Sequence, residues 1–287
     1  MSRVIYEVKF EVSDKRPAVA DILSDVILSN GVKPKDIVEN TTYAGRNIIV
    51  YFKDIADALR LKRRISRYQL NNIKIKFRSF PNKSWQDAWK KEFKPFLITR
   101  HIKIIPSWLK NKEPIGRKIP VYIDTSTAFG TGLHATTRFM ASFIDDKKGK
   151  FDTLLDVGTG TGILAILGKK LGAEKVLALD CSKDAIHIAR KNAQDNQCRA
   201  ITFRLTNFKN IATDAKYDFV AANLISADLI MFAQKLVSLI KPGKYLAISG
   251  VSLFNFEKVH SEFSRLPLKC LKIEKEEGWA GLLYRRN

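Results

Sequence analysis

Seven consecutive residues constrain this chain more than any others: Asp156-Val157-Gly158-Thr159-Gly160-Thr161-Gly162. They follow an apolar run, residues 153–157, with the pattern of a buried strand, and they lead into a helical pattern over 162–171. Alternate glycines at a strand-to-helix junction allow a tight reversal and let a ligand lie against the main chain. A pyrophosphate cradle needs G-x-G-x-x-G, but here the third glycine comes one residue early and Ile163 stands in its place. The spacing therefore argues against a dinucleotide site.

Strand and helix patterns alternate from about residue 150 onward. Strands are expected at 153–157, 175–180, 201–205, 217–222 and 244–249, with helices from Gly162 to Leu171, from Ser182 to about Asn196, and over 226–240 up to Pro242-Gly243. Such alternation predicts an α/β fold with a mainly parallel sheet covered on both faces. The start of the chain reads differently. A strand at 3–12, a helix opened by Pro17 and stopped at Asn30-Gly31, a hairpin of 36–43 and 46–52 around Ala44-Gly45, a basic helix, and a strand at 73–77 give the order βαββαβ. That is the split arrangement of a ferredoxin-like α+β domain. The basic helix is expected to bury Ile55, Leu59, Ile65 and Tyr68. Between the two modules, Trp85, Trp89 and Phe93 share one helix face, and Trp108 follows a short strand at 102–105. The predicted organisation is a ferredoxin-like domain at 1–80, an aromatic connector at 81–120, and an α/β domain at 121–287.

Charge bears on partners. Among 287 residues, 50 Lys and Arg against 29 Asp and Glu leave a net charge of +21. Residues 60–103 hold fourteen basic residues against only Asp87 and Glu92. A surface of this kind tracks phosphates, or is simply a solvated helix face. Cys181, Cys198 and Cys270 show neither disulfide-framework nor zinc spacing, which fits a reducing cytosol and a site without metal. No apolar run reaches membrane-spanning length and no signal peptide is read, so a cytoplasmic protein with no membrane partner is expected.

The D-x-G-x-G-x-G form resembles motif one of the class I S-adenosylmethionine methyltransferases, which implies a Rossmann-like fold. Asp180 ends the next strand, 22 residues after Gly158, where a carboxylate can accept from two ribose hydroxyls. Asn223 ends the strand at 217–222, facing the crevice beyond the carboxyl ends. Leu224-Ile225 departs from the N-P-P-Y of adenine and glutamine-amide methyltransferases and argues against those substrates. The stretch Ala128-Phe-Gly130-Thr-Gly132-Leu-His134-Ala-Thr136-Thr137, with Trp85-Gln-Asp-Ala-Trp89-Lys-Lys-Glu-Phe93 and Ile105-Pro-Ser-Trp108, closely resembles one family. It is the bacterial methyltransferase family that modifies ribosomal large-subunit protein eleven, and the likeness runs from about residue 82 to the end. The resemblance implies S-adenosylmethionine as cofactor, contacted at Thr137, Gly158, Asp180 and Asn223, with Phe129 nearby and His134 in a mainly structural role. It also implies N-methylation, up to three times, of Lys side chains and the N-terminal amine of that ribosomal protein. Asn223 would orient the amine, and no general base is proposed. Departures fall at Thr125-Ser126, Ala135 and Ser182-Lys183. A monomer is expected, with RNA nearby through the basic N-terminal region. Two alternatives remain: an RNA methyltransferase using 60–103, and an inactive cofactor-binding module.

Overall fold

A computed structural model describes residues 4–13, 23, 26–27, 30, 32, 37–42, 45–67, 73–81, 94–124, 130–211 and 215–287. Pro17, the Trp85-Trp89-Phe93 face, Thr125-Ser126 and Phe129 lie outside the described residues. The chain divides into two compact units, Met1–Lys94 and Pro95–Asn287.

In the first unit, strands β1 (Val4–Val12), β2 (Ile37–Thr42), β3 (Gly45–Phe52) and β4 (Ile73–Pro81) form one sheet in the order β2-β3-β1-β4. Each neighbouring pair is antiparallel, so the expected ferredoxin-like βαββαβ topology is present. Strand alternation puts Val8, Phe10 and Val12 on one face, where they meet Leu23 and Ile27 from the preceding helical stretch. Helix α1 (Ile55–Ser66) covers the same face; it is capped by Asp54, whose carboxylate accepts from Ala56 N. It buries Ala58, Leu61 and Ile65. Of the expected apolar stripe, Ile65 is buried, Leu59 is half-buried and Ile55 is exposed at the helix start, where Ala58 takes the inward position; Tyr68 lies outside the described residues. Arg60 and Arg63 project to solvent, as the basic run required.

The second unit is built on a seven-stranded sheet. Its strands are β8 (Thr153–Val157), β9 (Lys175–Asp180), β10 (Ile201–Leu205), β11 (Tyr217–Asn223), β12 (Ile240–Ser252), β13 (Leu268–Glu276) and β14 (Trp279–Arg286), in the order β10-β9-β8-β11-β12-β14-β13. The first five run parallel, and β14 is antiparallel to both of its neighbours. Helices α2 (Ala135–Asp146), α3 (Ile163–Lys170), α4 (Lys183–Asp195), α5 (Ser226–Ser238) and α6 (Phe256–Ser264) cover it, giving one apolar cluster on each face. Strand order reverses at β8: β9 and β10 follow on one side, β11 and β12 on the other. The crevice beyond the carboxyl ends of these strands is where open α/β sheets take ligands.

A smaller sheet of β5 (Phe96–Leu97), β6 (Ile102–Pro106) and β7 (Ile119–Ile123) places Ile98, Ile102, Ile104, Val121 and Ile123 in the core of the same unit. Residues 95–120, expected as part of a connector, thus belong structurally to the second unit. The boundary falls there because Ile102 and Ile104 are fully buried in the same apolar cluster as the inward residues of α2 and α3. No helix among the described residues is long and apolar enough to cross a membrane.

Candidate functional site

The glycine turn begins with two main-chain bonds to the neighbouring strand: Gly158 N and Thr159 N both donate to Leu179 O, at 2.9 and 2.8 Å. Asp180 then anchors the turn from the end of β9. Its carboxylate accepts from Gly160 N at 3.0 Å and from Ser182 N at 2.9 Å, which fixes both oxygens at the crevice. Gly160 has φ +53, and a Cβ there would meet nothing within 4 Å, so the turn is open on the side where a ligand can approach. Ser182 caps α4 by accepting from Ala185 N, so the Ser182-Lys183 departure keeps the helix start intact.

Asp156 lies beneath the turn and is fully buried. Its Oδ2 accepts from Thr159 Oγ1 at 2.6 Å, whereas Oδ1 has no partner. Burial pushes its carboxyl up to about 7, against the pull of the Thr159 hydroxyl and of the Ala165 main-chain N–H and with a further push from the Asp180 charge. The spacing marked Asp156 as part of the motif but gave it no role.

Asn223 closes the other side. A Cβ at Gly158 would lie 2.7 Å from Leu224 Cδ2, so the end of β11 packs directly on the turn. Asn223 Nδ2 donates to Thr136 Oγ1 at 3.3 Å. Thr136 is buried in the first turn of α2, and its hydroxyl lies 2.8 Å from His134 Nδ1. His134 is the N-cap of α2 and accepts from Thr136 N; its ring lies edge-on to Trp279, with centroids 5.1 Å apart. The structural role expected for His134 is what its contacts describe. Thr137, named by the resemblance, is buried beside Thr136 and donates its N–H to His134 O at 3.0 Å. The Asn223 link therefore runs through Thr136, its neighbour.

Residues that the sequence did not single out bring the loops together. The Thr161 hydroxyl donates to Gly130 O at 2.6 Å, tying the Gly/Thr loop to the glycine turn. Asn192 on α4 is fully buried, donates to Thr161 O at 2.8 Å and accepts from Asp124 N at 2.8 Å. One turn later Asn196 accepts from Tyr122 N and donates to Tyr122 O. Two asparagines four apart on the inward face of an amphipathic helix were the available signal. Gly250 completes the set: with φ +86, a Cβ there would overlap the Leu224 carbonyl oxygen, so β12 presses its backbone against the residue after Asn223. Among the described residues, no group of three or more His, Cys, Asp or Glu side chains could hold a metal ion.

The sheet order and the placement of the turn at its switch point define a class I methyltransferase fold. The sequence model of the family described as ribosomal protein L11 methyltransferase (PrmA) matches residues 17–287, and the chain belongs to this family. The ribosomal protein L11 methyltransferase of Photobacterium profundum is 37% identical over 191 residues, 66% of this chain and 63% of that protein. Its counterpart in Listeria innocua is 32% identical over 206 residues, 71% of this chain and 65% of that protein. The matched region thus spans slightly less than two thirds of these relatives. A crystal structure of a ribosomal protein L11 methylase from Lactobacillus delbrueckii subsp. bulgaricus is 28% identical, with a TM-score of 0.62; the match covers 68% of this chain and all of that one.

Proposed function

We propose that the chain is an S-adenosylmethionine-dependent methyltransferase that N-methylates Lys side chains and the N-terminal amine of ribosomal protein L11, acting as a cytoplasmic monomer. The observation that carries this reading is the convergence at one switch point of Asp180, the open turn at Gly160 and Asn223 held by Thr136. Family membership supports it independently.

The residues fit the cofactor. Asp180 offers a carboxylate pinned by two N–H groups to a pair of ribose hydroxyls. Gly158 and Gly160 give main chain without side-chain bulk at the turn. Thr137 is assigned to the same pocket by the resemblance. When bound, S-adenosylmethionine supplies an electrophilic methyl group.

What remains for the chain is alignment, an effect worth up to roughly 7–11 kcal/mol in favourable cases. A Lys amine is protonated at neutral pH, with a reference pKa near ~10.4, and must lose its proton before it attacks. Burial against apolar residues such as Leu224 disfavours the ammonium and releases the free amine. Asn223 orients it, and no side chain is assigned as a general base.

In this reading the first unit grips the protein substrate. The test is labelled S-adenosylmethionine incubated separately with ribosomal protein L11, whole ribosomes and ribosomal RNA. Label is expected in the protein, at amines identified by mass spectrometry. Label in RNA alone would establish the RNA methyltransferase reading, and no label in any fraction would leave a binding module.

A further inference from the structure

We propose that Thr136 and His134 are positioning residues that set the rotation of the Asn223 carboxamide, turning its oxygen rather than its N–H groups towards the substrate. This rests on the methyltransferase reading and adds to it the device that makes the site select an amine.

The argument is a chain of proton assignments. His134 caps α2 with its ring, and Nδ1 accepts from Thr136 N at 3.4 Å. A nitrogen that accepts carries no proton. The same Nδ1 lies 2.8 Å from Thr136 Oγ1, so the hydroxyl is the donor in that bond. A hydroxyl has one proton, and Thr136 spends it on His134. Towards Asn223, 3.3 Å away, Thr136 Oγ1 can therefore only accept. Asn223 must present its NH2 to Thr136, which leaves Oδ1, in the same amide plane, directed away from Thr136, and no described residue donates to it. Helix capping at one end of the chain thereby dictates amide rotation at the other.

The consequence is chemical. An oxygen facing the crevice accepts an N–H from the substrate amine and leaves the amine lone pair directed elsewhere. A group that can only accept, such as a carboxylate, meets an unfavourable pairing. Were the amide turned over, its N–H groups would compete for the lone pair that has to attack. Both rotamers fill the same space, so van der Waals packing does not choose between them. Thr136 is almost fully buried, so water does not compete for its hydroxyl.

The experiment uses the full-length protein, L11 as substrate and S-adenosylhomocysteine as the binding probe. Thr136→Val keeps the shape and removes the hydroxyl. It is expected to lower kcat by roughly ten- to a hundredfold through misplacement of the amine, with the S-adenosylhomocysteine Kd and thermal midpoint close to wild type. Thr136→Ser should restore most of the rate. His134→Asn keeps a capping oxygen that accepts from both Thr136 groups and should remain active, whereas His134→Leu should behave like Thr136→Val. The proposal is overturned if Thr136→Val retains the wild-type kcat, or if its cofactor affinity falls in parallel with its rate. It is also overturned if His134→Asn is as impaired as His134→Leu. A wild-type protein that labels no amine would instead overturn the methyltransferase reading.

Discussion

Two buried aspartates on neighbouring strands behave in opposite ways, because only one has a full set of partners. Asp218, at the start of β11, accepts at Oδ2 from Asp152 N, Thr153 N and Thr153 Oγ1, while Lys241 donates to Oδ1 at 3.1 Å. Burial alone would push its carboxyl up, but Lys241 and these donors outweigh it and hold it well below the usual carboxylate range. Its stabilisation is complete above the unfolded value near ~3.9 and is lost as pH falls through the lower folded value. Asp218→Ala should cost about 3 kcal/mol at neutral pH, measured by urea unfolding, and flatten the acid side of the stability profile. Asp156 has the reverse sign. Its folded value of about 7 lies above the unfolded one, so the protein loses stability as pH rises between the two. Asp156→Asn should remove that slope: unfolding compared at pH 5 and pH 8 should show a smaller difference in the variant than in wild type. An equal difference would mean that the carboxyl is ionised in the folded protein across this range.

The glycines report on elements, and two of them make a contrast. At Gly160 the backbone is left-handed with open space beside it, so alanine meets only the conformational cost, on the order of 1 kcal/mol. At Gly250 the strand β12 runs against the backbone of Leu224, and alanine has to push β11 and β12 apart. Gly160→Ala should therefore fold and bind S-adenosylhomocysteine weakly, whereas Gly250→Ala should lose several kcal/mol of stability; calorimetry on both separates the effects. The element scale also shows what could be read in advance. Strands β8, β9 and β11 were legible because strands covered on both faces are largely apolar runs, and Asp180 and Asn223 close two of them. The hairpin of β13 and β14 was not read, although Glu277-Gly278 marks its turn with two positive φ angles. Lys269, Lys272 and Lys275 recur every three residues on this edge strand, whose register shifts between Cys270 and Lys272, so no two-residue apolar alternation marks it as part of the sheet. Asn223 was legible as a strand-end residue, but its partner was not. Thr136 and Thr137 are adjacent in sequence, and only the helix phase decides which one faces β11.

At the scale of the whole molecule, the two units have separate cores. Val8, Phe10, Leu61 and Ile65 belong to one cluster, while the second unit closes around β6, β7 and the seven-stranded sheet. Residues 95–287 should accordingly unfold cooperatively without residues 1–94 and still bind S-adenosylhomocysteine, read by calorimetry and titration. In the proposed reading, the shortened chain should no longer methylate L11. Retained methylation would remove substrate grip from the first unit.

The position of β14 has a consequence for how the protein comes into being. It is the last strand along the chain, yet it sits between β12 and β13, and Ala280, Leu282, Leu283 and Tyr284 are almost wholly buried. During synthesis, every other strand of that sheet emerges before the one that joins its antiparallel edge. Until then β12 offers an unpaired, apolar border of the kind that recruits neighbouring chains. Between the emergence of β12 and the arrival of β14, this edge of the sheet stays open to other chains.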